Sequence, residues 1–495
     1  MNFLDEAISF ISPKRGNVRR AWRRALEEQR SYDAGNYRGS NTNWRAVNAP
    51  AELNNQLSRD TIRARARDLE NNSDLMGAVI GAYKRNVIGG GYTLQAGHEN
   101  EEINDELERL WKNWCKKQNC DILGTQSFNQ ILRMLIRRKK IDGGILIVKR
   151  YTKNGMIPLQ IQVLEVDELD ITQSQPKYKK NKVIGGIEIN EFNKTIGYWI
   201  RQYSLDGFQS EPPIFLEEKE VVFYCSKARP SQVREISDMA PTITRIRDIN
   251  EFANTISIKE RVLACLAIFI KRVVPTGGIG RFGGDKEGKD NQYEGQTLSP
   301  GMIGTLNPGD EVQVVNPNGQ ATDATTYIKM QQRMIGAGQG ISYEALARDM
   351  NETNYSSARQ GAIEDELTFV EEKELLMEVM TEIYETFVIS CVLAGKLQNK
   401  DFWENKDKYL KHEWVQAPKK WIDPLKEANA NKVALQSGQK TFAQIAAENG
   451  KDWKEQINEI SKIYEYAESL NINFDKIIYG ARAIREAEKK EERNE

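Results

Sequence analysis

The sequence predicts an α+β fold that is mainly helical, with a mixed β region in its first half. Three observations support this prediction. Apolar residues recur at helical spacing from residue 57 and again in the second half. Short apolar stretches separated by Gly, Pro and Asn lie between residues 145 and 224. The 495 residues exceed one ordinary core, so roughly three structural regions are expected, at about 150 residues per domain.

The first part of the chain is predicted to be an arm followed by helices. Residues 1–56 contain a basic stretch at 19–24 and little that could form a core. Helices are expected from residue 57, with a break near Asn71 and an end at 89–91, and then over 103–114 and 128–140. In the last helix the apolar positions are predicted to point inward: Ile131, Leu132, Leu135 and Ile136. The basic positions are predicted to point outward: Arg133, Arg137, Arg138 and Lys139.

The middle of the chain is predicted to alternate strands, helices and one long loop. Strands are expected over 145–148, 159–163, 183–189, 197–203 and 221–224. A helix over 239–271, with Ser237 or Asp238 as its cap, should follow. The Gly-rich segment 276–295 is predicted to be an exposed loop, with strands over 302–306 and 312–315 after it. Helices are then expected over 326–337 and 356–395, joined by a loop that ends at Asn354, and over 424–495.

Charge and cysteine content exclude several classes of protein. With 70 basic and 71 acidic residues the net charge is −1, so no global field would hold nucleic acid, and any DNA contact must be local or weak. The five cysteines match neither a zinc site nor a redox pair and are interpreted as reduced thiols. Asp5 and Glu6 stand where a secretion signal would be basic, and the most apolar window, 262–270, is too short to span a membrane.

The Gly-rich loop offers two weak nucleotide-binding patterns. Gly278, Gly280 and Gly283 satisfy G-x-G-x-x-G, but the polar residues that follow cannot open the helix that a dinucleotide site requires, so a flexible loop is favoured. Gly283 and Lys289 have the spacing of a phosphate-binding loop, although an aspartate follows Lys289 in place of the hydroxyl that ligates Mg²⁺. An ATP-dependent packaging or DNA-processing enzyme is therefore kept only as an alternative function. ATP hydrolysis by the purified chain that is lost in Lys289→Ala would support it.

No catalytic or metal-binding set emerges from the other polar residues. His98 and His412 lie far apart in the sequence without a nucleophile motif, which favours solvated surface histidines. Four carboxylates cluster at the end of one predicted strand, where an acidic turn is favoured over a metal site: Glu165, Asp167, Glu168 and Asp170. The prediction is a protein that is not an enzyme and has no cofactor.

Seven short phrases carry a family resemblance, and they occur in order along the chain. They are Tyr32-Asp33-Ala34 before Trp44, residues 63–69 with Asn71 and Asn72, and residues 86–91, 229–234, 306–310, 354–359 and 423–427. Together they resemble the lambda-type family of phage portal proteins over nearly the whole chain. One departure is Glu235, which stands where glycine is expected after the Arg-Pro-x-Gln-x-Arg phrase.

The resemblance implies a portal fold with wing, stem, clip and crown regions. It implies a ring of about twelve copies at one capsid vertex of a tailed phage or prophage, through which double-stranded DNA is packaged and ejected. The regions carried over are an N-terminal arm (1–56), the wing (57–237), a stem helix (238–272), the clip (273–325), a second stem helix (326–340), a tunnel loop (341–355), a long wing or channel helix with its connection (356–420), and the crown with the C-terminal tail (421–495).

The same resemblance suggests site residues and partners. The candidates for DNA-facing positions are Asp349, Asn351, Glu352 and Asn354, and those for clip docking are Asn307, Pro308, Gly309 and Asp310. The apolar residues Leu263, Leu266 and Ile270 are expected at a subunit interface.

The implied partners are other copies of the chain, DNA without sequence specificity, the terminase large subunit, a head-completion or adaptor protein, and the major capsid and scaffold proteins, with no membrane. Capsid nucleation, a place in the virion and assembly in the bacterial cytoplasm are also implied. A virion structural protein of another kind is the remaining alternative.

Overall fold

The structure is a computed structural model. It describes isolated positions before residue 46 and then residues 46–153, 155–203, 210–264, 268–272, 310–314, 324–351, 354–397, 401–417, 424–451, 453–470 and 472. The chain divides into two compact units, residues 1–57 and 58–495. Helix α1 (Ala51–Gln56) belongs to the first unit, and the remaining elements belong to the second.

Helices make up most of the second unit. In chain order they are α2 (Arg59–Asn72), α3 (Asp74–Tyr83), α4 (Glu101–Trp114), α5 (Lys117–Cys120), α6 (Phe128–Asp142), α7 (Ile243–Ala264), α8 (Ala324–Gln339), α9 (Tyr343–Ala347), α10 (Tyr355–Leu393), α11 (Lys406–Leu410), α12 (Pro424–Gln436), α13 (Phe442–Glu448) and α14 (Trp453–Ser469). A turn of π-helix, Lys84–Ile88, extends α3. Within the described residues, no helix combines the length and apolar composition that crossing a bilayer requires.

The strands form small antiparallel sheets. They are β1 (Tyr92–Ala96), β2 (Gly144–Tyr151), β3 (Leu159–Leu164), β4 (Lys182–Ile184), β5 (Ile187–Ile189), β6 (Thr195–Tyr203), β7 (Ser210–Glu217), β8 (Val221–Cys225), β9 (Ile268–Arg272), β10 (Asp310–Val314) and β11 (His412–Gln416). Their orders are β3-β2-β8, β4-β5-β6-β7, β1-β11 and β9-β10. The predicted α+β class, mainly helical with a mixed β region, is confirmed.

One hydrophobic core joins helices α2, α3, α4, α6 and α10 to the inner face of the β3-β2-β8 sheet. Aromatic rings form its centre, since the ring of Trp111 lies 5.0 Å from those of Trp114 and Phe387, and 5.2 Å from that of Phe128. Each such ring removes a large apolar area from water, so this cluster contributes much of the burial free energy. The packing fixes α10 against the β region.

Local signals at both ends explain why α6 forms where it does. Ser127 and Gln130 form a capping box at its start, and Gly143 ends it in the left-handed region with φ of 90°. A Cβ atom on Gly143 would lie 2.3 Å from the carbonyl group of Ile236, so no other residue fits there. The four apolar residues predicted to point inward are at most 2% exposed, which confirms that face.

The prediction that Lys139 points outward was wrong. Lys139 is only 2% exposed, and its Nζ donates to Glu372 at 2.6 Å and to Asp238 at 3.2 Å. Lys140 Nζ lies 3.2 Å from the same Asp238 oxygen. These four residues, here named the lysine–carboxylate cluster, join α6 to α10 and to the segment before α7. Periodicity alone could not reveal this, because partners distant in the sequence make the buried ammonium tolerable.

The cluster is completed by a tyrosine and has defined charge states. Tyr224 donates its hydroxyl to Glu372 at 2.7 Å. Burial alone would raise the pKa of Glu372, but the charges of Lys140 and Lys139 outweigh it and hold that pKa below its usual value. Glu372 is therefore ionised at neutral pH, and its charge is matched within the protein.

Glu235, the departure from the family phrase, is buried with two arginine partners. Its side chain is fully buried and accepts from Arg63 at 3.0 Å and, through two bonds of 2.8 Å, from Arg234. Arg234 also donates to the carbonyl oxygen of Gly185 at 2.6 Å. A glycine at 235 would leave both guanidinium groups without this carboxylate. The turn therefore accommodates Glu235, and the charge of Glu235 balances the buried charges of Arg63 and Arg234.

The four-stranded sheet has its own small core and differs from the prediction in two places. The stretch predicted as one strand over 183–189 is a hairpin, because Gly185 and Gly186 take positive φ values of 55° and 85° between β4 and β5. Strand β7 was missed because it contains Pro212 and Pro213, which are rare in strands. As an edge strand it tolerates them, and its register with β6 shifts at this point, between the pairs Ile200–Ile214 and Gln202–Glu211.

Helix α7 is shorter than the predicted helix over 239–271. It begins at Ile243, after Pro241, and Ser237 accepts from the amide of Met239 in the turn before it. It ends at Ala264, and residues 268–272 pair with β10 instead, as β-branched residues at 268 and 270 favour. The apolar residues expected at a subunit interface therefore do not share one helical face, because Leu263 lies in α7 and Ile270 lies in β9. Leu266 is outside the described residues.

The other helical predictions are confirmed with small changes in their limits, while several elements were missed. Helix α8 packs on α7 through the rings of Phe252 and Tyr327, 4.6 Å apart. The long predicted helix is α10, and the predicted strand over 312–315 is β10. Helix α11 and the pair β1-β11 were not predicted. Strand 302–306, the loop 276–295 and residues 473–495 lie outside the described residues. The wing, stem, clip and crown boundaries stay predictions.

Two buried tyrosines give a matched test of the lysine–carboxylate cluster. Tyr224→Phe removes a hydroxyl that donates to ionised Glu372, whereas the hydroxyl of Tyr384 has no hydrogen-bond partner in the described part of the chain. We expect Tyr224→Phe to lower the free energy of unfolding by about 1–3 kcal/mol and Tyr384→Phe to leave it unchanged or raise it slightly.

Thermal unfolding of the two variants, followed by calorimetry under identical conditions, measures the difference. Equal losses in both variants would contradict the interpretation, because the two rings are similarly buried and only their hydroxyl partners differ.

Candidate functional site

The segment between α8 and α10 is more structured than the predicted loop over 341–354. It contains helix α9, whose start is capped by Ser342, with Oγ accepting from the amide of Ala345 at 3.2 Å. The helix ends at Arg348, which takes φ of 55° and ψ of 28°. This left-handed conformation is uncommon for residues other than glycine. The prediction of a plain loop was wrong at this point, since Ser342 provides an N-cap.

The segment is fixed to the body of the protein at its base. Asp365 of α10, 8% exposed, accepts from the amide and the hydroxyl of Ser342 at 2.6 and 2.7 Å. Ile341 and Leu346 are buried in the main core. Tyr83 donates to the carbonyl oxygen of Gln339 at 2.6 Å and so ties the end of α8 to α3. These contacts leave residues 348–351 as the accessible part.

The structure describes three of the four predicted DNA-facing residues. Asp349 accepts from the hydroxyl of Tyr343 and from the amide of Asn351, both at 3.1 Å. These hydrogen bonds hold the pKa of Asp349 below its usual value. Asn351 is exposed, and Asn354 caps α10 by accepting from the amide of Ser357 at 2.8 Å. Glu352 lies outside the described residues. Asp349 and Asn354 therefore have local structural roles whatever else they contact.

Basic residues around the segment were missed by the sequence analysis. Arg348 is exposed, and its positive charge acts on Arg85 of the π-helical turn: burial and Arg348 together lower the pKa of Arg85. The guanidinium group of Arg333, on α8, lies 5.5 Å from the ring of Tyr343. Asp349 and its neighbours were candidates because the family resemblance implies a tunnel loop at this place in the sequence. Arg85 and Arg348 are distant in the sequence, and the elements that carry them come together because α9 packs beside α3.

Of the four predicted clip docking residues, the structure describes Asp310. Asn307, Pro308 and Gly309 lie outside the described residues. Asp310 is the first residue of β10. In the backbone register of the antiparallel pair it lies opposite Arg272, and Glu311 lies opposite Lys271. The Gly-rich loop with Lys289 also lies outside the described residues.

The carboxylates predicted to form an acidic turn are paired with arginines. Arg67 donates to Asp167 at 2.5 Å and lies 3.3 Å from Glu165, and Arg201 lies 3.2 Å from Asp170. This arrangement agrees with the acidic-turn interpretation. In the part of the chain that the structure describes, no three His, Cys, Asp or Glu side chains are placed to hold a metal ion.

The histidines are not solvated as predicted. His412 lies in an aromatic environment, 4.4 Å from the ring of Tyr384, and one of its ring nitrogens is 3.1 Å from the hydroxyl of Thr381. The ring of His98 packs on Tyr409 at 4.5 Å. Both are half-buried, because β1 and β11 pair and carry them against the core.

The described cysteines are thiols without a disulfide: Cys115, Cys120, Cys225 and Cys391. Burial raises the pKa of Cys120, Cys225 and Cys391 to about 12. The thiolate form, which reacts, is therefore scarce at neutral pH.

Comparison with known proteins identifies the family. The family model described as "Phage portal protein, lambda family" matches residues 37–372, more than half of the chain. The "Probable portal protein" of Halomonas phage phiHAP-1 is 25% identical over 446 residues, covering 85% of this chain and 84% of that protein.

Two further relatives are portal proteins of Escherichia phages. The portal protein of phage N15 is 19% identical over 474 residues, covering 87% of this chain and 89% of that protein. Portal protein B of phage lambda is 20% identical over 431 residues, covering 79% of this chain and 81% of that protein.

Similar solved structures come from gene transfer agent particles. The neck of an empty particle, computed with C6 symmetry, contains a chain with a TM-score of 0.44 and 12% identity, covering 82% of this chain and 95% of that one. The neck of a native particle, computed with C12 symmetry, contains a chain with a TM-score of 0.39 and 13% identity, covering 76% of this chain and 89% of that one.

The family match spans the β region, the helices α7 and α8, and the segment with α9. The relatives are covered over most of their length and carry the same description. The chain belongs to the lambda family of phage portal proteins.

Proposed function

We propose that this chain forms a closed ring of about twelve copies at one capsid vertex of a tailed phage or prophage, and that double-stranded DNA passes through the ring during packaging and ejection. The observation that carries the proposal is the family match over residues 37–372, which includes the segment between α8 and α10. The ring acts as a structural component of the virion, and catalysis of packaging belongs to another chain.

Exposed apolar side chains on the long helices support assembly with other copies. On α10, Ile363 and Leu367 are 50% and 61% exposed, and on α8, Met330 and Met334 are 46% and 43% exposed. Apolar side chains of this size would leave water if the two helices were covered by another copy, which favours assembly. In a closed ring each interface joins two different surfaces of the same chain, so both helices could be covered.

The charge distribution supports weak contact with DNA. Each basic contact with phosphate tightens binding, so a tunnel lined with many lysines and arginines would hold the duplex instead of letting it slide. The net charge of −1 and the mixture of Asp349, Asn351 and Arg348 at the accessible part of the segment fit sequence-independent, weak contact. We therefore keep Asp349, Asn351, Glu352 and Asn354 as DNA-facing candidates.

We further propose that the region over 273–325 is the docking site for the terminase large subunit and later for a head-completion or adaptor protein. Strand β9 directly precedes this region and pairs with β10 inside it, which brings the backbones of Arg272 and Asp310 together. Residues 307–310 are predicted from the sequence to form a turn, and Asp310 begins β10, so we propose the docking role for this turn. The same ring, bound to scaffold and major capsid proteins, would nucleate capsid assembly in the bacterial cytoplasm.

The first prediction from this proposal concerns assembly. The purified chain of 56.6 kDa should form rings of about 600–700 kDa, from about twelve copies, in mass photometry and negative-stain microscopy. Leu367→Arg should prevent ring formation while leaving circular dichroism unchanged, because it places a charge in an apolar contact.

The matched control for this experiment is Phe192→Arg, which changes an apolar residue that is 79% exposed in the β5–β6 turn. This variant should form rings like the wild-type chain. A wild-type chain that stays monomeric under capsid-assembly conditions would refute the ring. Normal rings from Leu367→Arg would exclude this face of α10 from the interface.

The second prediction concerns the segment between α8 and α10. Deleting residues 351–353 keeps Asn354, which caps α10, and keeps the anchors of α9 at Ser342. Ring formation should be unaffected, and the yield of packaged DNA in an in vitro packaging assay should fall.

The control replaces residues 351–353 with Gly-Ser-Gly, which keeps the segment length. It separates an effect of length from an effect of side chains. Packaging yields equal to wild type in both variants would remove these residues from the tunnel.

A further inference from the structure

Helix α10 carries an apolar stripe on the side that its own chain leaves uncovered. Ile363, Leu367 and Val370 are exposed, and their spacing of four and then three residues places them on one face of the helix. The buried residues of this part of the helix lie on the opposite face: Asp365, Phe369, Glu372 and Leu376. The stripe therefore points away from the core, toward solvent.

Two exposed carboxylates continue this stripe. Glu371 lies one helical turn after Leu367, and Glu374 lies one turn after Val370. The neighbouring Glu366 and Glu372 both pair with lysines. Among the described residues, neither Glu371 nor Glu374 forms an ion pair. The stripe thus ends in two negative charges that no ion pair balances within this part of the chain.

Helix α8 carries a second apolar stripe, and the charge beside it is positive. Met330 and Met334 are exposed one turn apart, and together with Lys329 and Arg333 they line one groove. Exposed Arg333 contacts the ring of Tyr343 but, in the part of the chain that the structure describes, no carboxylate. The buried residues of this helix again lie on the opposite face: Ile335, Gly336 and Gln339.

We propose that the α10 stripe of one copy packs into the α8 groove of the next copy, with Glu371 and Glu374 toward Arg333. This inference deepens the proposed function and rests on it, because it requires a ring. A closed ring needs two different surfaces on each chain that fit each other. Packing the two stripes together would remove apolar side chains of both helices from water and would bring unpaired charges of opposite sign together.

The charges favour this pairing over contact between equal faces. Two α10 stripes facing each other would bring four carboxylates together, and two α8 grooves would bring the two copies of Arg333 together, so both contacts would be repulsive. Contact between equal faces also gives a dimer with twofold symmetry, which does not continue into a ring. A protein of another kind that covered one stripe would leave the complementary stripe on the other helix without a role.

The experiment damages one face at a time. Leu367→Arg places a positive charge in the α10 stripe, where it would meet Arg333 of the next copy, and Met334→Glu places a negative charge in the α8 groove, where it would meet Glu371 and Glu374. Each variant alone should stay monomeric and give at least about tenfold fewer rings than the wild-type chain. Sedimentation velocity, at a concentration at which the wild-type chain is fully in rings, measures the distribution.

Mixing the two variants tests whether the two faces bind each other. Each variant keeps one intact face, so an equal mixture should contain complexes of two chains, about 110 kDa, that neither variant forms alone. Rings in the mixture would support the pairing equally, since the two introduced charges are of opposite sign. Phe192→Glu, in the exposed β5–β6 turn, is the matched control for Met334→Glu and should form rings alone. If the circular dichroism of a charged variant departs from wild type, Leu367→Gln and Met334→Gln replace the pair with the same expected results.

The outcomes separate this inference from the function on which it rests. A wild-type chain that forms no rings would overturn the proposed function and the inference with it. If the wild-type chain forms rings, three results overturn the inference alone. They are normal rings from either variant, which would assign that face to a different partner; dimers of either variant by itself, which would show contact between equal faces; and a mixture of folded variants that stays monomeric.

Discussion

The burial of Lys139 and Lys140 against Glu372 and Asp238 is the constraint on which the arrangement of the helices depends. Removing an ammonium or carboxylate group from water costs several kcal/mol unless a partner of opposite charge replaces the water. Each of the four groups has such a partner only when α6, α10 and the segment before α7 lie together. Alternative packings of these elements would leave an unmatched buried charge, so the cluster restricts the elements to one arrangement.

That arrangement fixes the position of α9 and Arg348. Helix α10 carries both Glu372, inside the lysine–carboxylate cluster, and Asp365, which holds Ser342. The start of α9 is therefore fixed to the same helix that the cluster holds. In contrast, the end of α9 is accessible. A rigid base with an accessible end suits a surface that must meet a moving ligand at a constant distance.

Periodicity and caps predicted the elements whose signals are local. Ser127 and Gly143 mark the ends of α6, and apolar spacing marks its inner face. The errors lie where partners distant in the sequence decide. Lys139 is buried because of Glu372, and residues 268–272 form a strand because β10 is available.

At the candidate site, too, local contacts were accessible to prediction and contacts between distant parts of the sequence were not. The family resemblance pointed to residues 349–354, and the structure gives Asp349 and Asn354 local hydrogen bonds. Arg85 and Arg348 could not be associated from the sequence, since no pattern links α3 to α9. Resemblance to a family supplied the function, which charge and composition alone could only restrict.

The prolines of β7 have a consequence for a chain that we propose to associate with its own copies. The open edge of a sheet can accept a strand from another molecule, and such additions continue without limit into fibrils. Pro212 and Pro213 cannot donate backbone hydrogen bonds along that edge, which ends the β4-β5-β6-β7 sheet. Strand addition along this edge is thereby opposed, which favours association through side-chain surfaces, where geometry can close the assembly at a finite number of members.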